Sequence, residues 1–199
     1  MKHPTKLGVL ISGGGSNLQA ILDAIETGEI NGSVAVVISS NAEAYGLERA
    51  KKYGVPVLVA ALKDYGSREA RDGAVLQSLE KHGAEYVILA GYLGILTPPL
   101  INAFENRILN IHPALLPKFG GAGLHGLHVH EAVIAAGEAV SGATVHFVDE
   151  NIDTGRIVAQ ESLKILPSDT PESLQARILT EIEHKLLVRV VKNLCEGEI

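Results

Sequence analysis

The alternation of short apolar runs with helical patterns is the feature that most constrains how this chain can fold. The run from Lys6 to Ser12 is followed by glycines and then by apolar residues at helical spacing, which end at Gly28. The same pattern continues through the first half of the chain, with helices predicted at 43–52 and 67–82. Buried strands separated by helices are typical of a parallel sheet covered on both faces. The predicted strands span residues 6–12, 34–39, 56–60, 86–90 and 107–111.

The C-terminal half has a different pattern. Two further strands are predicted at Gly142–Asp149 and Arg156–Ile165, joined by the loop Asp149–Gly155, before an amphipathic helix from Thr170 to about Leu194. The glycine-rich stretch Pro117–Gly126 has regular patterns on both sides, which favours an active-site loop over a domain boundary. We therefore predict an α/β fold with a mostly parallel, doubly wound, Rossmann-like sheet, a C-terminal antiparallel strand extension and a long terminal helix.

Composition argues against several classes of protein. A length of 199 residues favours one compact domain, and Cys195 is the only cysteine, as expected for a reducing cytoplasm. The net charge of −6 argues against nucleic-acid binding, because phosphate neutralisation supplies most non-specific affinity for nucleic acids. The apolar runs are much shorter than the ~20 residues of a membrane-spanning helix. We therefore expect a cytoplasmic protein that binds neither nucleic acid nor membrane.

Glycines dominate the predicted turn between the first strand and the first helix, Ser12–Asn17. They allow backbone N–H groups to approach an anion closely, and the helix N-terminus adds a partial positive charge. Leu18 occupies the place of the third glycine of a dinucleotide-binding motif, and the lysine of a Walker motif is absent. A phosphomonoester is therefore the favoured ligand, and a tight turn without a ligand is the alternative.

A second polar motif, Asn110–Pro117, follows the fifth predicted strand at its carboxyl end, where open α/β sheets bind their ligands. Strand alternation places Asn110 and His112 on the same side. An amide donor beside an imidazole suits a reaction in which an oxyanion develops, since both groups can donate to it and the imidazole can also move a proton. By itself such a pair is structural about as often as catalytic.

The loop Asp149–Gly155 is rich in carboxylates, and Asp153 is the candidate partner that would favour the charged form of His112. The alternative is a solvated acidic turn, and the spacing does not match a calcium loop. Three nearby histidines, His125, His128 and His130, match no zinc-binding spacing. We therefore predict no metal.

Five motifs, in order and with similar spacing, resemble the phosphoribosylglycinamide formyltransferase family. They are Ile-Ser-Gly-Gly-Gly-Ser-Asn-Leu (11–18), Leu-Ala-Gly-Tyr (89–92), Asn-Ile-His-Pro-Ala-Leu-Leu-Pro (110–117), Val-His-Phe-Val (145–148) and Ile-Asp-Thr-Gly (152–155). The resemblance extends from Lys6 to about Val191 and implies the formyltransferase fold. It also implies that 10-formyltetrahydrofolate, as co-substrate, donates a formyl group to the amine of glycinamide ribonucleotide in purine synthesis. The family resemblance implies no metal, and a monomer or homodimer is expected.

The resemblance also implies which residues bind and react. The ribonucleotide would be bound by Gly15, Ser16, Asn17 and Glu183. The folate would be bound by Arg68, Leu93, Gly94, Ile95, Leu96, Asn110, Asp149, Glu150, Asn151, Ile152 and Asp153. The catalytic residues would be Asn110, His112 and Asp153, with the first two stabilising the oxyanion and Asp153 holding the imidazolium. Residues 1–199 would then form one domain, with a phosphate-binding half (1–105) and a catalytic and folate-binding half (106–199).

Three departures from the family pattern affect these assignments. Gly94 stands where many relatives have arginine, so the contacts of that side chain are absent. The stretch Phe119–Leu127 is longer than in the shorter family members. The stretch Arg177–Glu183 is one residue longer than in some relatives, so Glu181 could replace Glu183.

Other functions compatible with the motifs differ in what they require. Formyltetrahydrofolate deformylase is the nearest alternative, because it would use the same trio with water as the acceptor, although it normally has an additional N-terminal regulatory domain. Methionyl-tRNA formyltransferase would need a C-terminal domain and a basic surface. A phosphosugar-binding module without activity would keep the glycine loop and would not need Asn110, His112 and Asp153 together.

Overall fold

One mixed sheet of seven strands organises the residues that the computed structural model describes, 3–199. The strands are β1 (Thr5–Ile11), β2 (Gly32–Ser39), β3 (Val57–Val59), β4 (Tyr86–Leu89), β5 (Ile108–His112), β6 (Val140–Phe147) and β7 (Ile157–Lys164). Their order is β3-β2-β1-β4-β5-β6-β7, with parallel pairing from β3 to β5 and antiparallel pairing of β6 and β7. The predicted fold class is confirmed. The first two residues of the predicted domain 1–199 lie outside the described residues.

Helices connect the strands and cover both faces of the sheet. The α-helices are α1 (Ser16–Glu26), α2 (Tyr45–Lys52), α3 (Arg68–Lys81), α4 (Pro98–Ala103), α5 (Leu127–Ala135), α6 (Pro171–Arg177) and α7 (His184–Glu196). The helices expected in the first half are confirmed, and the hydroxyl of Ser67 caps α3 by accepting from the Ala70 N–H group. The short helices α4 and α5 are additions to the sequence prediction.

Apolar side chains from the central strands pack on both sides of the sheet. On one side, Leu7 and Ile11 of β1 belong to a cluster that includes Leu187 of α7. On the other side, Leu10 belongs to a cluster that includes Leu79 of α3. These side chains are completely buried. The sheet is therefore held between two packed layers, and its carboxyl edge is a fixed platform for the loops that follow β1, β4 and β5.

The C-terminal helix predicted from Thr170 is interrupted. Thr170 begins α6 with a capping box shared with Ser173, and a π-helical turn, Ile178–Glu183, separates α6 from α7. A π-helical turn contains more residues than an α-helical turn and is frequent at functional sites. Here the turn includes Glu183, which is buried at 7% exposed.

Within residues 3–199, no helix combines the length and apolar character needed to cross a membrane.

Candidate active site

A cavity of about 650 Å³ lies along the carboxyl edge of the sheet. It brings together the three motifs that the sequence analysis selected. Its wall is formed by residues 12–17, 89–96, 110–113, 121–126 and 148–153, together with Ile101, His130, His146, Gln175, Leu179 and Glu183. The glycine loop and the Asn110–His112–Asp153 trio therefore face one continuous space.

The glycine loop between β1 and α1 is shaped by close backbone packing. Gly15 precedes α1 with a φ of 70°, a conformation that favours glycine. A Cβ atom on Gly15 would lie 2.6 Å from the Cα atom of Gly46. Arg49 braces the loop from α2, because its Nε donates to the Gly14 carbonyl at 2.9 Å. The loop is thus held where the N-terminal N–H groups of α1 can receive an anion.

Asn17 and Glu183 form a buried pair beside the glycine loop. The Asn17 Nδ2 donates to Glu183 Oε2 at 2.8 Å, and the Asn17 Oδ1 is buried without a hydrogen-bond partner. Burial raises the pKa of Glu183, and the hydrogen bond from Asn17 partly opposes that rise. Glu181 points elsewhere, toward Arg177 at 3.3 Å. The structure therefore brings Glu183 rather than Glu181 to the cavity.

The trio is assembled from β5 and the loop after β6. His112 Nδ1 lies 3.6 Å from Asp153 Oδ2, so the expected proximity of these two residues is observed. Asp153 lies in the loop after β6 and has a φ of 59°. His146 on β6 lies directly opposite Asn110, and its Nε2 is 3.1 Å from Asn110 Nδ2 and 3.6 Å from Asp153 Oδ1. Asp153 therefore lies between two histidines.

Burial and charge have opposite effects on the protonation of this network. Burial lowers the pKa of His112 below its ordinary value, although Asp153 and the Phe119 carbonyl act to raise it. Burial would raise the pKa of Asp153, but the hydrogen bonds from His146 and from the Gly121 N–H group lower it, helped by the histidine charges. Asp153 does favour the imidazolium, as expected, but burial outweighs it. At neutral pH the free protein therefore holds a neutral His112 beside a charged Asp153.

The glycine-rich loop after β5 contacts both His112 and Asp153. His112 Nε2 is 2.8 Å from the Phe119 carbonyl, and Asp153 Oδ2 accepts from the Gly121 N–H group at 2.9 Å. Both ring nitrogens of His112 therefore face protein groups. A substrate can bond to Nε2 only when the Phe119 carbonyl gives up its place, which requires the loop to move.

The predicted folate-binding segments mostly line the cavity. Leu93–Leu96 and Asp149–Asp153 lie in its wall, and Leu93 is 58% exposed. A Cβ atom on Gly94 would lie 2.6 Å from the Tyr92 ring, which explains why a larger residue does not fit there in this chain. The structure does not bring Arg68 to the cavity wall, because its side chain is exposed in the first turn of α3. Its role in binding stays a prediction.

The three nearby histidines occupy different environments. His125 lines the cavity and packs edge to face with His128, which pairs with Glu131 at 2.9 Å. His130 is completely buried, and neither of its ring nitrogens has a hydrogen-bond partner. The pKa of His130 is lowered to about 4, mainly by burial and secondarily by the charge of His112. In the part of the chain that the structure describes, no group of three His, Cys, Asp or Glu side chains is arranged to hold a metal ion.

Comparison with known proteins identifies the family of this chain. Residues 5–191 match the family described as formyl transferase. The chain belongs to the formyl transferase family. It is 42% identical over 194 residues to phosphoribosylglycinamide formyltransferase of Haemophilus influenzae, covering 98% of this chain and 89% of that protein. The structure of glycinamide ribonucleotide transformylase 1 from Symbiobacterium toebii superimposes with a TM-score of 0.92 at 46% identity, covering 99% and 90% of the two chains.

Within the formyl transferase family, this chain groups with the phosphoribosylglycinamide formyltransferases. It is also 46% identical over 198 residues to the chloroplastic phosphoribosylglycinamide formyltransferase of Arabidopsis thaliana, covering 98% of this chain and 66% of that protein. It spans 14% of the trifunctional purine biosynthetic protein of Chironomus tentans, to which it is 42% identical. Several relatives are thus considerably longer than this chain.

Two contributors to the site were not selected as site residues from the sequence. His146 bonds to the trio, and it appeared only within a motif that carried the family resemblance. The Phe119 carbonyl is a backbone group, which no side-chain pattern can reveal. A prediction that β6 pairs with β5 would have identified His146, because cross-strand neighbours on one face lie within contact distance.

Proposed function

We propose that this chain transfers the formyl group of 10-formyltetrahydrofolate to the amine of N1-(5-phosphoribosyl)glycinamide, in de novo purine (IMP) biosynthesis. The products are the N-formyl ribonucleotide and tetrahydrofolate. The observation that carries the proposal is the single cavity that joins the glycine loop to the Asn110–His112–Asp153 trio. An anion-binding end and an oxyanion-stabilising end, open to each other, suit a phosphorylated acceptor of an acyl group.

The acceptor would bind at the end formed by the glycine loop. Gly15, Ser16 and the backbone of Asn17 would hold the phosphate at the N-terminus of α1. The Asn17 and Glu183 side chains offer acceptor oxygens beside that loop, which suits the hydroxyl groups of a ribose. The co-substrate would lie along Leu93–Leu96 and Asp149–Asp153, with the formyl group beside Asn110.

The chemistry begins with attack of the neutral amine on the formyl carbon. A bond forms between the amine nitrogen and that carbon, and the carbonyl oxygen acquires negative charge, to which the amide group of Asn110 donates. Once the Phe119 carbonyl has left Nε2, the neutral His112 takes at that nitrogen the proton that the amine loses, and Asp153, which faces Nδ1, stabilises the resulting imidazolium. His112 then delivers the proton to the departing folate nitrogen as its bond to the formyl carbon breaks. The lowered pKa of His112 suits this role because the imidazole begins neutral and can accept a second ring proton.

A steady-state assay tests the proposal against the deformylase alternative. The purified protein is incubated with 10-formyltetrahydrofolate, with and without the ribonucleotide, while tetrahydrofolate and formate are measured. We expect tetrahydrofolate release that depends on the ribonucleotide and no formate above background. Formate release at the same rate without the ribonucleotide would identify hydrolysis and refute the transferase proposal.

Three further features belong to this proposal. We treat residues 1–199 as one formyltransferase domain, in which 1–105 carry the phosphate-binding half and 106–199 the catalytic and folate-binding half. The partners would be small molecules only, and the chain would act as a monomer or homodimer. A cytoplasmic location is supported by the presence of a single cysteine, Cys195. This cysteine is free and buried.

A further inference from the structure

The cavity wall contains a segment whose backbone is held by side chains instead of by neighbouring strands. Leu93–Leu96 belongs to no helix or strand, and within residues 3–199 it makes no backbone–backbone hydrogen bond. The Leu93 N–H group instead donates to the hydroxyl of Ser12 at 2.8 Å. Leu93 and Ile95 are 58% and 45% exposed, so the segment faces open space. The conformation of this segment must therefore be fixed by side chains packed behind it.

Arg71 and Asp72 of α3 provide that support. The Arg71 Nη2 donates to the Ile95 carbonyl at 2.6 Å, and Asp72 Oδ2 accepts from the Thr97 N–H group at 2.6 Å. The two side chains also bond to each other, with Arg71 Nε 2.7 Å and Nη2 2.6 Å from Asp72 Oδ1. Each charged group thus bonds both to its partner in the pair and to the segment or its end.

The pair is buried and lies outside the cavity wall. Arg71 is 3% and Asp72 2% exposed, and neither side chain lines the cavity. The Arg71 guanidinium lies 6.0 Å from the centre of the Tyr92 ring, and this ring leaves no room for a Cβ atom on Gly94. The segment is therefore packed tightly against Tyr92, and a shift of Arg71 or Asp72 would be transmitted to its backbone through the bonds to Ile95 and Thr97.

A buried ion pair is weak evidence for a role in stability, because its desolvation cost is large and apolar residues often replace it without loss. The bonds of this pair, however, end on one backbone group within the cavity-facing segment, at Ile95, and on one directly after it, at Thr97. Small displacements of groups that position a substrate strongly reduce binding and reaction.

We propose that Arg71 and Asp72 are positioning residues for the folate end of the cavity. They hold Leu93–Leu96 in the conformation that the co-substrate requires, without touching it. This inference rests on the proposed function, since it concerns the site of 10-formyltetrahydrofolate. It predicts an effect mainly on one substrate, because the pair contacts neither Gly13–Asn17 nor Glu183 and is linked to the glycine loop only through the Leu93–Ser12 bond.

Steady-state kinetics of variants test the proposal. Because Arg71→Met leaves the Asp72 carboxylate buried without its partner, the double variant Arg71→Met/Asp72→Asn removes both charges together. We expect the KM for 10-formyltetrahydrofolate to rise about tenfold or more in both variants. The KM for the ribonucleotide and kcat at saturation should change little, and Arg71→Lys should restore part of the affinity.

Arg177→Met is the matched control. Arg177 also bonds to a carboxylate, Asp169 at 2.6 Å, and to a backbone carbonyl, Lys164 at 3.3 Å, but it lies away from the cavity wall. The Arg177→Met variant should alter neither the KM for 10-formyltetrahydrofolate nor the KM for the ribonucleotide. Equal increases of both KM values in the Arg71 variants, or the same increase in the control, would overturn the positioning role.

Direct binding separates this proposal from the proposed function. Tetrahydrofolate is titrated into the wild-type protein and the double variant by calorimetry, and amide hydrogen exchange is followed at residues 93–96. We expect weaker tetrahydrofolate binding and faster exchange of these amides in the variant. Unchanged binding and exchange would refute the inference. A wild-type protein that binds tetrahydrofolate but transfers no formyl group would instead refute the proposed function.

Discussion

The two ends of the cavity are built in different ways. The glycine end, Gly13–Asn17 with Glu183, is formed mainly by consecutive backbone groups at the start of a helix. The histidine end, Asn110, His112, His146 and Asp153, is formed by side chains that come from β5, β6 and a loop. The glycine end depends on backbone geometry, whereas the histidine end depends on burial and charge. Substitutions at the first should therefore change binding, and substitutions at the second should change turnover.

The largest expected effect comes from His112→Ala. Because the variant lacks the group that takes the proton from the amine, kcat should fall about 10³-fold, within the range of general acid–base catalysis. Binding of the ribonucleotide, measured by calorimetry, should stay close to that of the wild type. A loss of binding as large as the loss of turnover would break the division between the two ends.

Asp153→Asn should have the next largest effect. Asparagine tolerates the φ of 59° at this position but cannot stabilise the imidazolium by charge. We expect kcat to fall on the order of 10²-fold, with the ribonucleotide affinity retained. Stopped or continuous assays at saturating substrates measure the effect, and full turnover in this variant would rule out a catalytic role for the carboxylate.

Gly15→Ala tests the glycine end. The added Cβ atom would collide with Gly46 and would meet a φ of 70°, so the loop must shift. We expect the KM for the ribonucleotide to rise on the order of tenfold or more, with a smaller change in kcat. Gly28→Ala is the control, since Gly28 has a φ of 77° and open space around its Cα atom. Similar kinetics for the two variants would contradict the account of the loop.

The smallest effect concerns stability at acid pH. His130 is buried, and its pKa is lowered to about 4. Below about pH 6.5 this histidine therefore binds a proton in the unfolded chain but not in the folded protein. The stability from this group is complete above pH 6.5 and is lost as the pH falls toward 4. Between pH 7 and pH 5 the free energy of unfolding should fall by about 1–2 kcal/mol from this residue.

Denaturant unfolding of the wild type and of His130→Leu checks this dependence. The variant should show a flatter decline of stability with falling pH, because it has no group to protonate at that position. Equal slopes in the two proteins would show that His130 does not exclude a proton.

The parts of the molecule that depend on local patterns can be predicted from the sequence. The strand and helix alternation gave the sheet, and Ser12–Asn17 was recognised because glycines and a helix start are adjacent along the chain. Same-side placement of Asn110 and His112 follows from strand alternation. These features need no knowledge of distant contacts.

Other features depend on contacts between distant parts of the chain. His146 joins the trio only because β6 pairs antiparallel with β5, and the low pKa of His112 results from burial that no motif records. The helix of the C-terminal half contains a π-helical turn, which hydrophobic spacing alone does not predict. In the sequence, Arg71 and Asp72 are not distinguishable from other polar residues of a helix, because their bonds to residues 95 and 97 are seen only in the structure.

The fate of the formyl carbon tests the central claim most directly. The protein is incubated with 10-formyltetrahydrofolate labelled with ¹³C in the formyl group, together with the ribonucleotide, and the labelled products are followed by NMR. We predict that the label moves to the amide of the ribonucleotide, with one tetrahydrofolate released for each labelled product. Label that collects in formate, with the ribonucleotide unchanged, would contradict formyl transfer.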